Sequence, residues 1–186
     1  MKNFFILFIF VFLVSCPVFA QDYASLYKNQ EQADFKLIQN IDPYQENDYL
    51  EYAWAPYPLF RSNRTLFYKG GVIDPGYYLL VPREMKGKKY IFFKENGKVK
   101  HAVPVYKTEV LAPNFYDQHI PKPVKTKRQK FCDSAKQKFY NHFKGSKQQS
   151  PPKSFITTEV VDNEYYELSL YYEQTKYRAL FKLKNN

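Results

Sequence analysis

The sequence predicts a mostly β fold of the α+β class. An antiparallel sheet closed into a small barrel, or paired as a sandwich, carries one amphipathic helix around 125–144. Three observations carry that expectation. Strand-length apolar and aromatic runs separated by turn residues recur from Thr65 onward. An Asn96-Gly97 pair stands between two of those runs. One stretch, Lys125 to Lys144, changes to a helical period. The side chains suit the reading, since 17 Phe and 18 Tyr favour a pleated, half-buried surface.

The first twenty residues read as an address. Lys2 supplies a positive start, Phe4 to Val14 is unbroken apolar sequence, and Val18-Phe19-Ala20 ends in a small residue. That is the layout of a cleaved secretory signal peptide, 1–20, with an apolar run too short for a transmembrane helix. An alternative export route is read from Leu13-Val14-Ser15-Cys16, in which Cys16 becomes a lipidated first residue and the chain a membrane-anchored lipoprotein. Pro17 and the apolar run to Phe19 favour cleavage after Ala20. The expectation is a periplasmic or secreted domain, 21–186, or an outer-membrane or cell-surface lipoprotein under the alternative, with no transmembrane span after signal removal.

Residues 21–62 are polar and then aromatic. Leu26, Tyr27, Ala33, Leu37 and Ile38 fit a helical spacing in part, and Asp42-Pro43 breaks it. Tyr49 to Phe60 is punctuated by prolines, which suits an edge or a packed loop. The strands follow. Thr65 to Tyr68 stops at Gly70-Gly71, and Asp74-Pro75-Gly76 turns the chain into Tyr77 to Val81, closed by Pro82. Arg83 to Lys89 reads as a charged connection before Tyr90 to Phe93. After the Asn96-Gly97 hairpin, Val99, His101, Val103 and Val105 fall on one side of the return strand, and Pro104 places it at an edge. Leu111 to Val124 holds three prolines and reads as irregular. Within the helix, Phe131, Ala135, Phe139 and Phe143 share an arc of about 120° that contains Cys132 and suits docking on a sheet. Phe155 to Val161, Tyr165 to Tyr172 and Tyr177 to Leu183 complete a three-strand meander. The last of these is also a candidate exposed edge for strand addition from a partner.

Charge is uneven. Residues 21–62 carry seven acidic and three basic side chains, whereas 63–153 carry twenty basic and six acidic, a net of +14. Either the acidic segment packs on the β core of 63–186, or the basic one faces an anionic partner. Lys122, Lys125, Lys127, Arg128 and Lys130, continued by Lys138 and Lys144, form the candidate basic face. Export directs that face to an anionic lipid, a polysaccharide or another envelope protein, and away from nucleic acid. Trp54 and Tyr57, with Tyr52 and Phe60, are candidates for an aromatic platform.

Catalytic patterns are sparse. HExxH, P-loop, GxSxG, CxxC and dinucleotide fingerprints are all missing from the sequence. Cys132 and His142 are ten residues apart on one helix, about 15 Å of rise, and cannot touch. Cys132 is instead expected to be a small buried hydrophobe. Asp117 and His119 beside Asn114 form only half of a metal site. Glu51, Glu109 and Glu159 lie near strands without any link between two of them. The sequence therefore points to a non-enzymatic exported envelope protein, a binding or structural module, with no metal and no cofactor. A small secreted or periplasmic hydrolase is the alternative.

Overall fold

The computed structural model describes residues 21–51, 57–119 and 153–184, together with 126, 128, 129, 131, 132 and 134. Ten strands run through these residues: β1 Leu59–Ser62, β2 Leu66–Tyr68, β3 Gly71–Ile73, β4 Gly76–Met85, β5 Lys88–Glu95, β6 Lys98–Pro104, β7 Lys107–Val110, β8 Ser154–Val161, β9 Tyr165–Tyr172 and β10 Thr175–Leu183. Three short α-helices with both ends described accompany them, α1 Tyr23–Lys28, α2 Gln45–Glu51 and α3 Phe115–His119, and residues 128, 129, 131, 132 and 134 are also helical. The fold is mostly β, as the sequence predicts. No helix among the described residues is long and apolar enough to cross a membrane.

The strands form two antiparallel sheets, a four-stranded one ordered β1-β4-β5-β6 and a six-stranded one ordered β3-β2-β10-β9-β8, with β7 also paired to β10. One core joins them. Leu80, Ile91 and Phe93 from the first sheet meet Leu168, Leu170 and Phe181 from the second, all fully buried. Phe93 and Phe181 touch edge to face with ring centroids 6.0 Å apart. This is a sandwich, in which alternate side chains of both sheets fill the space between.

Two type I′ hairpins set the register of the first sheet. Asn96 and Gly97 both have positive φ, 50° and 76°, as their residue types predict. Lys86 and Gly87 do the same at 52° and 73°, joining β4 to β5. The charged connection expected over Arg83 to Lys89 is therefore strand, turn and strand. Pro82 does not end β4. β1 pairs only as far as Leu79, so at Pro82 the strand has β5 alone as a neighbour and needs no second donor.

The second correction is a β-bulge. Lys94 pairs with Val99 while Phe93 pairs with His101, so β6 carries one extra residue there. Val99 consequently faces away from the sandwich interior, with Val81, Tyr90 and Phe92, whereas Val103 faces into it. A strict two-residue alternation puts them on one face, and the bulge reverses it.

The N-terminal segment is not one amphipathic helix. α1 ends after six residues, capped by Asp22, whose Oδ1 accepts from Ser25 N–H at 3.0 Å. The chain then runs extended across the outer face of the four-stranded sheet. Ala33, Phe35 and Leu37 pack there against Val81, Tyr90 and Phe92, with Phe35 edge-on to Tyr90 at 5.1 Å.

β10 is the best-paired strand of its sheet, so the expectation of an exposed edge at Tyr177 to Leu183 is overturned. β9 borders one side along most of its length, and β2 and β7 divide the other. Between those two partners the Leu180 carbonyl accepts from the buried side chain of Gln30, Nε2 to O 2.7 Å. A side chain from the N-terminal segment thus closes a gap in the strand ladder. β3, β7 and β8 are the edges of this sheet.

Candidate functional site

Three clusters of ionisable side chains emerge from this architecture. The first lies where residues 42–48 cross the four-stranded sheet. β4 alternation turns Arg83 outward, and Asp42, with a side chain 0% exposed, meets it with both oxygens. Arg83 Nε donates to Oδ1 at 3.0 Å and Nη2 to Oδ2 at 2.9 Å. Nη2 also donates to Asp48, and Nη1 donates to the Tyr57 hydroxyl at 2.8 Å. Lys94 adds a second cation 3.4 Å from Asp42. Burial opposes ionisation of Asp42, but the hydrogen bonds and charge of Arg83 outweigh it, and its pKa is lowered. Burial, and next the bond to Asp48, push the Tyr57 phenol well above its ordinary value. Every charge here has its opposite, so the cluster fastens the acidic segment to the sheet. Lys86 with Asp34 and Lys88 with Glu31 extend the same contact at the surface.

The second cluster lies on the outer face of the six-stranded sheet. Glu167 is buried on β9 and accepts from Tyr106 Oη at 2.6 Å, Arg178 Nη1 at 3.2 Å and Ser169 Oγ at 3.3 Å. Arg178 Nη2 donates to Glu109 at 3.2 Å. Burial first, then the bond to Glu167, raise the Tyr106 phenol far above the usual range. Beside this network is a cleft of about 220 Å³ bordered by Thr157, Glu159, Lys176 and Arg178. The link that sequence could not supply between acidic residues is made by register. Glu159 on β8 stands directly opposite Glu167, and Glu109 on β7 reaches the same arginine.

The third is a cleft of about 450 Å³ at one end of the sandwich, lined by Arg64, Thr65, Asn163, Leu183 and Lys184. Among the described residues its lining holds two cations and no acidic side chain. Arg64 lies between β1 and β2, and Lys184 directly follows β10. Neither stands out in the sequence, because neither belongs to a dense run of charge. Folding brings them together through the pairing of β10 with β2.

Of the residues read from sequence, Cys16, Trp54, Lys122, Lys125, Lys127, Lys130, Lys138, Lys144 and His142 lie outside the described residues, as does the segment 1–20. Arg128 is helical and exposed. Its helix opens on a reciprocal cap: Gln129 N–H donates to Thr126 Oγ1 at 3.3 Å, and Thr126 N–H donates to Gln129 Oε1 at 2.9 Å. The first residue of the Phe stripe, Phe131, is 75% exposed, so it does not dock on a sheet. Cys132 is exposed rather than a buried hydrophobe. The Tyr57 ring is stacked on Tyr172 at 5.4 Å with Arg83 at 5.3 Å, and Phe60 is in the core, so neither offers a free platform. Asp117 pairs with Lys153 at 3.2 Å, and His119 Nδ1 lies 2.9 Å from the Phe115 carbonyl with its ring on Phe115. Among the described residues no group of three His, Cys, Asp or Glu side chains is placed to hold a metal ion.

The described residues thus define the class of the protein as a β-rich α+β chain built on two antiparallel sheets. Comparison with protein-family models, with curated proteins and with solved structures gives no match.

Proposed function

We infer that this chain is an exported, non-enzymatic binding module of the cell envelope that holds an acidic polysaccharide on a basic surface. The observation that carries the reading is the third cleft. Arg64 and Lys184 flank it, Thr65 and Asn163 supply neutral hydrogen-bonding groups, and none of the described residues lining it is acidic. A polymer bearing carboxylate or sulfate groups between hydroxyls matches that lining. Glu31, Asp34, Asp42 and Asp48 pair elsewhere, with Arg83, Lys86, Lys88 and Lys94, and so leave this cationic end open. The basic run at 122–144 adds charge to the same chain. Export is supported by the Lys2, Phe4 to Val14 and Ala20 pattern.

Binding to dextran sulfate, with neutral dextran and anionic vesicles as comparison probes, tests the reading. Retention that weakens with salt and falls at least about tenfold in Arg64→Glu with Lys184→Glu is expected, since two charge-assisted contacts are reversed. Equal retention of the double variant overturns the role of this cleft. Preference for the vesicles overturns the polysaccharide. Alanine at Lys125, Lys127, Arg128 and Lys130 reports the share of the basic run. The intact mass of the chain from its native envelope tests export: a start at Gln21 supports a free domain, and an acylated Cys16 a tethered one.

A further inference from the structure

We propose that the cleft on the outer face of the six-stranded sheet is a separate binding site for one neutral sugar ring. It shares no lining residue with the cleft of Arg64 and Lys184.

The charges bordering it cancel. Glu159 and Glu167 oppose Lys176 and Arg178, so an ion of either sign meets as much repulsion as attraction. A neutral molecule that both donates and accepts meets no such conflict. The partners are unevenly satisfied in a way that suits hydroxyl groups. Glu167 is saturated by Tyr106, Arg178 and Ser169. Lys176, by contrast, lines the cleft with its ammonium over the Tyr171 ring and has no ion pair or hydrogen bond among the described residues. Its three N–H donors are left for a ligand oxygen.

Glu159 supplies the complementary half. It faces Glu167 directly across the β8–β9 pair, where like charges destabilise a sheet. A hydroxyl donated to Glu159 relieves that repulsion, while its neighbour on the ring accepts from Lys176. Vicinal diols present that donor–acceptor pair at fixed spacing. Thr157 stands opposite Ser169 and adds a hydroxyl to the floor. Lys176 is held over the Tyr171 ring, 5.2 Å from its centroid, and so is positioned before any ligand arrives. The cleft has a volume of about 220 Å³. Its small size and polar lining differ from the larger apolar pockets that drug-like molecules fill.

The experiment is a backbone NMR titration of the mature chain with four neutral hexasaccharides: maltohexaose, cellohexaose, laminarihexaose and chitohexaose, each to about 10 mM, the weak limit of measurable affinity. The expected result is saturable shifts at Thr157, Glu159, Ser169 and Lys176 with at least one probe, and none at Arg64 or Lys184. Glu159→Gln and Thr157→Val sit on an exposed edge strand and preserve side-chain shape, so both should fold. Glu159→Gln should weaken binding about tenfold or more, the loss of one charge-assisted hydrogen bond. The absence of shifts with all four probes overturns the proposal. So do shifts that persist unchanged in both variants, or that fall on Arg64 and Lys184 instead.

Discussion

Arg83 and Asp42, 41 residues apart in sequence, meet as a two-pronged ion pair with N–O distances of 3.0 and 2.9 Å beneath the N-terminal segment. Removing one partner of a buried pair leaves an uncompensated charge, which costs about 3–5 kcal/mol. Asp48 and Tyr57 stay bound to the guanidinium, so Asp42→Ala should fall near the lower figure. Urea unfolding followed by Tyr fluorescence measures it. A loss below about 1 kcal/mol would place the pair among ordinary surface bridges.

The same contact predicts an acid dependence. The Asp42 pKa is depressed in the folded state, against about 3.9 unfolded. Its stabilisation is therefore present above the unfolded value and lost as pH falls through the folded one. Asp42→Asn lacks that component at every pH. The stability gap between the native chain and Asp42→Asn should be constant from about pH 5 to 8 and close below about pH 4. A gap that stays flat into acid would show that the carboxylate charge contributes nothing.

Gln30 closes the ladder of β10 by donating to Leu180, and it is buried while doing so. Gln30→Ala leaves that carbonyl without a donor, at a cost of about 1–3 kcal/mol. The loss should be local as well as global. Amide exchange should quicken around Leu180 and in α1, which the same contact holds, before it quickens in β5. Uniform exchange throughout would deny Gln30 this local role.

What was legible in the sequence was what short-range chemistry dictates. Asn96-Gly97 needs two positive φ values, and no partner elsewhere has to be known to place it. The meander of β8, β9 and β10 follows from alternation and turns in the same way. The bulge at Val99 was not legible, because an extra residue in β6 has meaning only against β5. Lys86-Gly87 sat inside a run of charges, which hid a hairpin of the same type. The candidate sites were harder still. Arg64 and Lys184 are 120 positions apart in the chain, and Glu159 faces Glu167 only once β8 and β9 pair. The dense basic run at 122–130 is conspicuous because charge density along a chain is visible in a sequence and charge proximity across a fold is not.

The two type I′ hairpins allow a cleaner test of backbone conformation than most turns. A Cβ built on Gly87 or Gly97 meets nothing within 4 Å, so replacement by alanine adds no clash. Their φ values, +73° and +76°, belong to the left-handed region, where an L residue pays about 1–2 kcal/mol. Alanine also restricts the unfolded chain, which returns about 0.4–1 kcal/mol. Gly87→Ala and Gly97→Ala should therefore each destabilise by about 0.5–1 kcal/mol, with the denaturant slope unchanged. Gly97→Asn should cost less, because asparagine tolerates this conformation. A loss above about 2 kcal/mol, or a changed slope, would mean that the β5 hairpins rearrange rather than strain.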